Sequence, residues 1–252
     1  MEKQGLNNLE IHSVNLDINE DIISSLKIQV CKRDKFQYNS NVVFIPCYFY
    51  RFIGIKSDED DYYENLYKLD NELKKIGPCY KRFHEGLDKD ISISLQDKLN
   101  AIWAKTLQME IMDISAIINS ISDDELFPNL SNKILLKQIK NNLKGLTEYY
   151  IKSNDGVQRD DVKGIINYII YWINIYSADL FETFDYSGNN PKIVFYGEIS
   201  KTEVFYLILL STLGCDVLYF NPNNSGAFHE IDKYNAFSKE IVYDSKGVIK
   251  PF

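Results

Sequence analysis

Hydrophobic and polar positions divide the chain into two strand-rich ends and a helical middle. Valine, which favours strands, is absent between Val43 and Val157 and recurs from Val194 onward. The continuous apolar run Val42–Pro46 predicts a strand that is buried on both faces. We therefore expect strands near both ends of the chain and helices between them.

Apolar residues recur at helical spacing in five stretches. They predict helices around residues 17–30, 62–73, 95–121, 135–146 and 162–177. Ser57 is the predicted N-cap of the second helix, and the acidic residues 58–61 after it suit the positive end of the helix dipole. These carboxylates could alternatively bind a metal ion, but consecutive side chains in a helix point in different directions. We therefore predict no metal site.

The region after residue 190 shows the clearest pattern. Lys192–Gly197 predicts a strand, and Ser200 and Glu203 have the spacing of a capping box at the start of a helix. The helix is predicted to end at Gly214, before a second strand at Cys215–Phe220. Such a β–α–β unit predicts two parallel strands joined by a right-handed crossover.

Together these elements predict an α/β fold that is Rossmann-like, with a mainly parallel sheet and a large helical middle section. Ile241–Tyr243 would add a short third strand. We expect an N-terminal extension over residues 1–40 and a single α/β domain over residues 41–252. The helical middle of that domain would cover about residues 95–180.

Charge and hydropathy narrow the classes of function. The chain has 28 basic and 36 acidic residues and a net charge of −8, a poor match to a dedicated nucleic-acid binder. The longest apolar stretch, Ile165–Tyr176, is shorter than the roughly 20 residues that cross a bilayer. The N-terminal region lacks the apolar core of a secretory signal. We expect a cytoplasmic protein with no membrane span and no nucleic-acid partner.

The cysteines do not form a recognisable framework. Cys31, Cys47, Cys79 and Cys215 are far apart and have no histidine nearby in the sequence. This spacing favours isolated thiols over a disulfide framework or a zinc site. The pattern identifies no cofactor.

Candidate chemistry lies at the carboxyl ends of the two predicted parallel strands, where open sheets bind ligands. One loop carries Gly197, Ser200 and Lys201, and the other carries Asn221 and Asn223. The glycine allows close backbone approach, the helix start offers N–H groups, and the lysine adds positive charge. This combination predicts binding of a small phosphate-bearing metabolite. Alternatively, Ser200 and Glu203 only cap the helix and the Asn-rich loop is an ordinary turn.

Arg51 is a second candidate, because the chain has few arginines among its 28 basic residues. It precedes Gly54, and if the strand at residues 42–45 joins the same sheet, its guanidinium could bind a phosphate or carboxylate at the same edge. Alternatively, Arg51 is structural and bonds backbone carbonyls. His229, after the Asn-rich loop, is a weaker candidate for a general base, since a lone histidine is more often not catalytic.

Several strings resemble the YceG-like family of bacterial proteins. They are Phe195–Ile199, Leu209–Pro222, Tyr50–Gly54 and the spacing of Leu66, Leu69 and Leu73. The resemblance covers about residues 42–252 and marks as matching positions Arg51, Gly54, Gly197, Asp216, Asn221 and Pro222. Members of that family are generally longer, so the resemblance implies an N-terminal half of a longer protein.

The resemblance also implies a role, because the family is described as a component of a biosynthetic module found with tellurium-resistance stress genes. Its reaction is not established. We expect a ligand-binding or catalytic half of such a protein, acting on a phosphate-bearing metabolite that is, by analogy, nucleotide-sugar-like. The alternative is a non-catalytic interaction module, in which Ile165–Tyr176, including Trp172, binds a protein partner of the stress complex.

Overall fold

The computed structural model describes most of the chain in two compact units. The described residues are 9–18, 21–39, 41–56, 58–77, 79–106, 112–182, 184 and 186–251. Within them, the first unit takes its residues from 1–87 and 179–252, and the second from 88–178.

The first unit contains a parallel five-stranded sheet. In spatial order its strands are β5 (Tyr80–His84), β6 (Lys192–Tyr196), β7 (Asp216–Asn221), β4 (Phe49–Ile53) and β8 (Lys239–Val242). Each strand is parallel to its neighbours. The predicted parallel pairing of β6 with β7 is confirmed, as are the short strand near residue 241 and a mixed α/β fold.

A smaller sheet in the same unit has the order β1 (Glu10–Asn15), β3 (Val42–Cys47), β2 (Gln37–Tyr38). Strand β1 is parallel to β3, and β2 is antiparallel to it. The strand predicted at Val42–Pro46 is therefore β3 and lies in this smaller sheet. The chain passes from β3 through Tyr48 into β4, so Arg51 is part of a strand of the larger sheet.

Helices cover both faces of the five-stranded sheet. On one face, α1 (Ile22–Lys27) and α2 (Glu59–Lys74) pack against alternate strand residues, and Leu26 and Leu66 share a core cluster with Tyr50 and Leu218. On the opposite face lies α8 (Phe228–Ile231), whose Phe228 ring is 5.0 Å from the ring of Tyr219. Helix α7 (Lys201–Thr212) contacts α8 and β7.

The ends of α7 form as predicted. The side chain of Ser200 accepts a hydrogen bond from the Glu203 amide at 3.4 Å, and the Glu203 carboxylate accepts one from the Ser200 amide at 2.7 Å. After the helix, Gly214 has a φ of 91°, a conformation that favours glycine. The middle of α7 is apolar around the whole circumference of the helix, and most of its residues are accordingly buried.

The first unit also departs from the predictions in several places. The helix predicted over residues 17–30 is the much shorter α1. Ser57 lies outside the described residues, and Asp58 caps α2, accepting from the Asp61 amide at 2.9 Å. Strands β1, β2, β4 and β5 were not predicted. The segment after β3 was expected to follow a strand, and it forms the strand β4 itself. The sequences of β1, β2 and β5 contain little of the β-branched, apolar signal that marks β3 and β6.

The second unit is helical. Its helices are α3 (Ile93–Thr106), α4 (Ile114–Asp123), α5 (Lys133–Ser153) and α6, which begins in this unit (Arg159–Phe181). The stretch predicted as one helix over residues 95–121 forms α3 and α4, and Asp113 caps α4 by accepting from the Ala116 amide at 3.0 Å. The predicted positions of α5 and α6 are confirmed.

One buried carboxylate connects the two sheets of the first unit. Asp216, at the start of β7, accepts two hydrogen bonds of 2.8 Å from the guanidinium of Arg33. The ammonium group of Lys192, at the start of β6, lies 2.8 Å from the same carboxylate. The Tyr48 amide, between β3 and β4, donates to it at 2.9 Å. Each oxygen of this buried carboxylate therefore has two polar partners inside the protein.

The surroundings of Asp216 also determine its ionisation. Burial acts to raise the pKa of Asp216, but the charges of Lys192 and Arg33 and their hydrogen bonds outweigh it and lower the pKa to about 2. For Lys192, burial lowers the pKa, and Asp216 opposes that shift. The carboxylate is thus held ionised in the folded protein.

We predict that Asp216 makes unfolding pH-dependent at low pH. Its stabilising effect is complete above about pH 4 and is lost as the pH falls toward about 2, because the unfolded state takes up the proton first. The loss is about 2 kcal/mol in the free energy of unfolding, measured by urea unfolding across this range.

The control for this prediction is a pair of variants. Asp216→Asn should be less stable at pH 7 by about 3–5 kcal/mol, because Arg33 and Lys192 lose their buried counter-charge. It should also lose this part of the pH dependence, whereas Asp97→Asn, at an exposed position, should keep it. Identical pH profiles for both variants would contradict the assignment.

Candidate functional site

Three of the sequence-predicted residues meet at the carboxyl edge of the sheet. The Gly54 amide donates to the Asn221 carbonyl at 2.9 Å, and the Gly197 amide donates to the Phe220 carbonyl at 3.0 Å. The Asn221 side chain donates to the Gly197 carbonyl at 3.1 Å. Gly54, Gly197 and Asn221 therefore form one hydrogen-bonded edge across β4, β7 and β6.

The Asn-rich loop is held by the same asparagine. The side-chain oxygen of Asn221 accepts from the amides of Asn223 at 2.8 Å and Asn224 at 3.0 Å. Asn221 is buried, whereas Asn223 is exposed. These bonds give Asn221 a turn-forming role in addition to its place at the sheet edge.

The start of α7 already contains a negative charge. The Glu203 carboxylate is buried and accepts from the Ser200 amide and hydroxyl, each at 2.7 Å, and from the Leu87 amide at 2.8 Å. Lys201 forms an ion pair with Glu230. A phosphate placed at this helix start would meet a buried carboxylate, which is electrostatically unfavourable.

Arg51 lies in the middle of β4, and its side chain is held on the α8 face. Its guanidinium is 3.0 Å from the Glu240 carboxylate, donates to the Asn235 side chain and lies 4.8 Å from the centre of the Phe228 ring. Burial lowers the pKa of Arg51, although Glu240 opposes the shift. The structure thus gives Arg51 partners in β8 and around α8.

His229, the candidate base, is exposed on α8. Its neighbour Phe228 is buried beneath the Arg51 guanidinium. The structure therefore places Arg51 and His229 in the α8 region, while Gly54, Gly197 and Asn221 form the carboxyl edge.

The carboxyl edge is covered by a segment of the chain itself, residues 243–250, which we call the strap. The Tyr243 amide donates to the Ile53 carbonyl at 2.7 Å, and the Ile55 amide donates to the Ser245 carbonyl at 2.8 Å. The Gly247 amide donates to the Pro222 carbonyl at 2.8 Å. These bonds occupy the crevice between the loops that follow β4 and β7.

The far end of the strap is anchored by two tyrosines. The Tyr63 hydroxyl donates to the Val248 carbonyl at 2.6 Å and lies 2.8 Å from the Tyr196 hydroxyl. The Lys250 amide donates to both hydroxyls, and the Lys250 ammonium pairs with Glu59 at 2.9 Å. The strap is thus fixed along its length, which leaves little of the sheet edge open to a ligand.

An open cavity of about 450 Å³ lies beside the strap, on the α1 and α2 face of the sheet. We call it the sheet-face cavity, and its lining includes Phe52, Lys56, Tyr62, Lys68, Phe220 and Tyr243. Its volume is within the range of small-molecule sites. Since Tyr243 belongs to the strap, the docked strap forms part of the cavity wall.

The inner surface of the sheet-face cavity is aromatic, and one of its tyrosines has a buried hydroxyl without a partner among the described residues. The rings of Phe52 and Phe220, paired across β4 and β7, stack at 4.8 Å with an interplanar angle of 12°. Tyr62 of α2 is 8% exposed, and its hydroxyl has no hydrogen-bond partner among the described residues. Burial raises the pKa of Tyr62, so the hydroxyl stays neutral and able to donate.

Two lysines and one carboxylate lie at the mouth of the sheet-face cavity. Lys56 and Lys68 are exposed at its rim, and neither forms an ion pair with another described residue. The nearby Asp21 carboxylate is already used as the N-cap of α1, accepting from the Ser24 amide and hydroxyl at 3.0 Å each. The hydrogen bond from the Ser24 amide and, less strongly, the charge of Lys68 lower the pKa of Asp21, so the two lysines and this carboxylate together offer one net positive charge to an anionic group.

Sequence reasoning missed this cavity. The signal available was the pair of aromatic residues near the carboxyl ends of two strands, followed by Lys56 after β4. Recognising it requires the register that places Phe52 beside Phe220, and that register depends on β4 being a strand. It also requires knowing that α2 directs Tyr62 toward the same face.

The described residues show neither a metal site nor a membrane helix. No group of three or more histidine, cysteine, aspartate or glutamate side chains in the described chain is arranged to hold a metal ion. The described helices are all too short or too polar to cross a membrane. The four cysteines, all within the described residues, form no disulfide with one another, and Cys31 is the exposed one.

The chain is similar in sequence to proteins that carry a YceG domain. The family model of the YceG domain matches residues 17–252. A relative from Bacillus subtilis strain 168, named uncharacterized protein YceG, is 24% identical over 183 residues, which are 72% of this chain and 33% of that protein. The matched region thus spans about a third of the relative's length. No solved structure matches the chain.

We predict that Gly54→Ala releases the strap. A Cβ at Gly54 would lie 2.6 Å from the Tyr243 carbonyl oxygen and 2.7 Å from that of Ser245. The backbone of the strap must then move, so the amides of Ile55 and Gly247 should exchange hydrogen faster, as measured by mass spectrometry or NMR.

Gly77→Ala is the matched control. Gly77 has a φ of 87°, close to the 86° of Gly54, but a Cβ there would meet no atom within 4 Å. It should cost only the backbone strain, about 1–2 kcal/mol, and leave exchange in the strap unchanged. Equal exchange in the two variants would show that the strap is not held against Gly54.

Proposed function

This chain belongs to the YceG domain family, and we propose that its sheet-bearing unit binds a small phosphate-bearing metabolite in the sheet-face cavity. The observation that carries the proposal is the cavity wall, which combines the stacked rings of Phe52 and Phe220 with two lysines at the rim. Tyr62 also lines the cavity, and its hydroxyl is buried without a hydrogen-bond partner among the described residues, which lowers stability. A ligand that accepts the hydrogen bond of this hydroxyl, once the side chain turns toward the cavity, would offset that cost.

The shape and chemistry of the cavity specify two parts of the ligand. The stacked rings of Phe52 and Phe220 offer an apolar surface suited to a flat ring, such as a nucleobase. Lys56 and Lys68 at the rim suit a phosphate or diphosphate. A nucleotide or nucleotide-sugar-like compound combines both parts.

The proposal concerns binding, and no catalytic residue is assigned. His229 is exposed on α8 and does not line the cavity. Since the match spans about a third of the Bacillus subtilis relative, groups from the rest of a longer protein would complete a reaction site. A biosynthetic role linked to tellurium-resistance stress is part of the proposal on the family resemblance alone.

The sheet-face cavity is better supported than the interaction-module alternative. That alternative depends on the stretch Ile165–Tyr176. In the structure Trp172 is 1% exposed and donates to the Asp88 carbonyl at 2.6 Å, and most isoleucines of the stretch are buried. Ile175 is an exposed exception at 38%, so this stretch offers little apolar surface to a partner.

The first test is a thermal-shift and calorimetric screen with uridine, inorganic phosphate, ADP and UDP-glucose. A compound with both ring and phosphate should raise the melting temperature, because a ligand that binds only the folded state stabilises it. Uridine and inorganic phosphate should bind more weakly, since each supplies one part. Absence of binding by every ring-and-phosphate compound would contradict the proposal.

The second test is the Tyr62→Phe variant, which should separate binding from stability. Loss of the unpartnered hydroxyl should leave the free energy of unfolding unchanged or raise it by up to about 1 kcal/mol. Binding of the compound found in the screen should weaken about tenfold, because a buried hydrogen bond to the ligand is lost.

Tyr67→Phe serves as the control, since Tyr67 is on the same helix, is 47% exposed and does not line the cavity. It should change binding less than Tyr62→Phe. If Tyr62→Phe destabilises the protein and leaves binding unchanged, the hydroxyl is structural and the ligand lies elsewhere.

A further inference from the structure

The second unit contains a basic groove of about 340 Å³ between α4 and α5. Its long wall is a row of lysines on one face of α5, and its floor is apolar. The lysines are Lys133, Lys137, Lys140 and Lys144, and the floor includes Ile118 and Leu136. None of the described residues that line this groove is acidic.

The row of lysines is electrostatically costly for the helix. The four positions are separated by four, three and four residues, so each lysine is a helical neighbour of the next. Like charges at these spacings repel each other and destabilise a helix. This concentration of positive charge stands out in a chain whose net charge is −8. An anionic partner in the groove would relieve the repulsion.

Part of the lysine row is already positioned. The ammonium group of Lys140 donates to the Ser122 hydroxyl at 2.5 Å and lies 5.1 Å from the centre of the Phe127 ring. Lys144 is 3.9 Å from the Glu148 carboxylate, at the outer limit of an ion pair. Packing over Phe127 holds the Lys140 stem at the groove, which reduces the entropy that binding would cost.

We infer that the basic groove binds an acidic, extended segment of a partner protein. From Lys133 to Lys144 the helix rises about 16 Å, the length of about five residues of extended chain. Side chains on one face of an extended peptide repeat every 6–7 Å, close to the mean spacing of about 5.5 Å between successive lysines. Alternate acidic residues could therefore each meet a lysine.

The remaining lining favours a peptide over a nucleic acid. The Ser115, Asn119 and Asn141 side chains can bond the amide groups of a peptide backbone. No aromatic ring is among the described lining residues, so the groove provides no surface on which bases would stack.

The test measures fluorescence anisotropy of a labelled ten-residue peptide of alternating glutamate and serine, titrated with the full chain at low salt. We expect binding that weakens as salt is added. The variant Lys137→Gln, Lys140→Gln, Lys144→Gln should weaken it about tenfold. Glutamine is a good helix former, so α5 should persist in this variant, as circular dichroism can check.

The matched control is Lys98→Gln, Lys105→Gln, Lys152→Gln, three exposed positions in the same unit with the same change in net charge. It should change the affinity for the peptide by less than about twofold. The inference is overturned if both triple variants weaken binding equally, if the peptide does not bind, or if a (dT)10 oligonucleotide binds more tightly than the peptide. The assay uses no metabolite, so its outcome is independent of the sheet-face cavity.

Discussion

The buried pairing of Asp216 with Arg33 and Lys192 is the interaction on which the first unit depends. Ions are costly to remove from water, and here the cost is offset because every oxygen of the carboxylate has partners. Arg33 extends the link, since it also donates to the carbonyls of Leu26 and Ile28 at the end of α1. Helix α1 is thereby fixed to the sheet, and α1 contributes a wall of the sheet-face cavity. Charge pairing at one end of the sheet thus shapes a ligand-sized space on its face.

The parts of the fold that could be predicted are those in which one local pattern suffices. The Ser200 capping box, the end of α7 before Gly214 and the apolar runs of β6 and β7 each carry their own signal. Strand β5 does not, because its sequence YKRFH is polar and pairs only through its long-range register with β6. The separation of β3 from β4 at Tyr48 is equally non-local, since it depends on Asp216, far along the chain. The scarcity of arginine singled out Arg51, whereas Arg33 holds the central ion pair.

The candidate site also combines residues that a local sequence pattern could place with contacts that only the folded chain makes. Parallel strands do bring Gly197 and Asn221 to one edge, as the predicted β–α–β unit required, and β4, a strand that was not predicted, brings Gly54 to the same edge. The strap that covers this edge could not be foreseen, because its bonds to the loops after β4 and β7 are made by backbone groups that any sequence possesses. The buried Glu203 carboxylate disfavours a phosphate at the start of α7. This effect could not be predicted, because Glu203 is held in place partly by a hydrogen bond from the distant Leu87 amide. The unpartnered hydroxyl of Tyr62 is likewise a property of packing, and the same tyrosine would be unremarkable on an exposed helix face.

In the proposed complex the ligand occupies the sheet-face cavity while the strap stays docked on the carboxyl edge. Hydrogen exchange with and without saturating UDP-glucose or ADP, whichever binds, tests this directly, since bound ligand protects the backbone around it. We predict slower exchange in residues 52–56, 62–69 and 241–247, with little change in residues 197–203 and 221–226. Protection of residues 197–203 and 221–226 together with faster exchange in the strap would contradict this placement of the ligand, because the ligand would then have displaced the strap from the sheet edge.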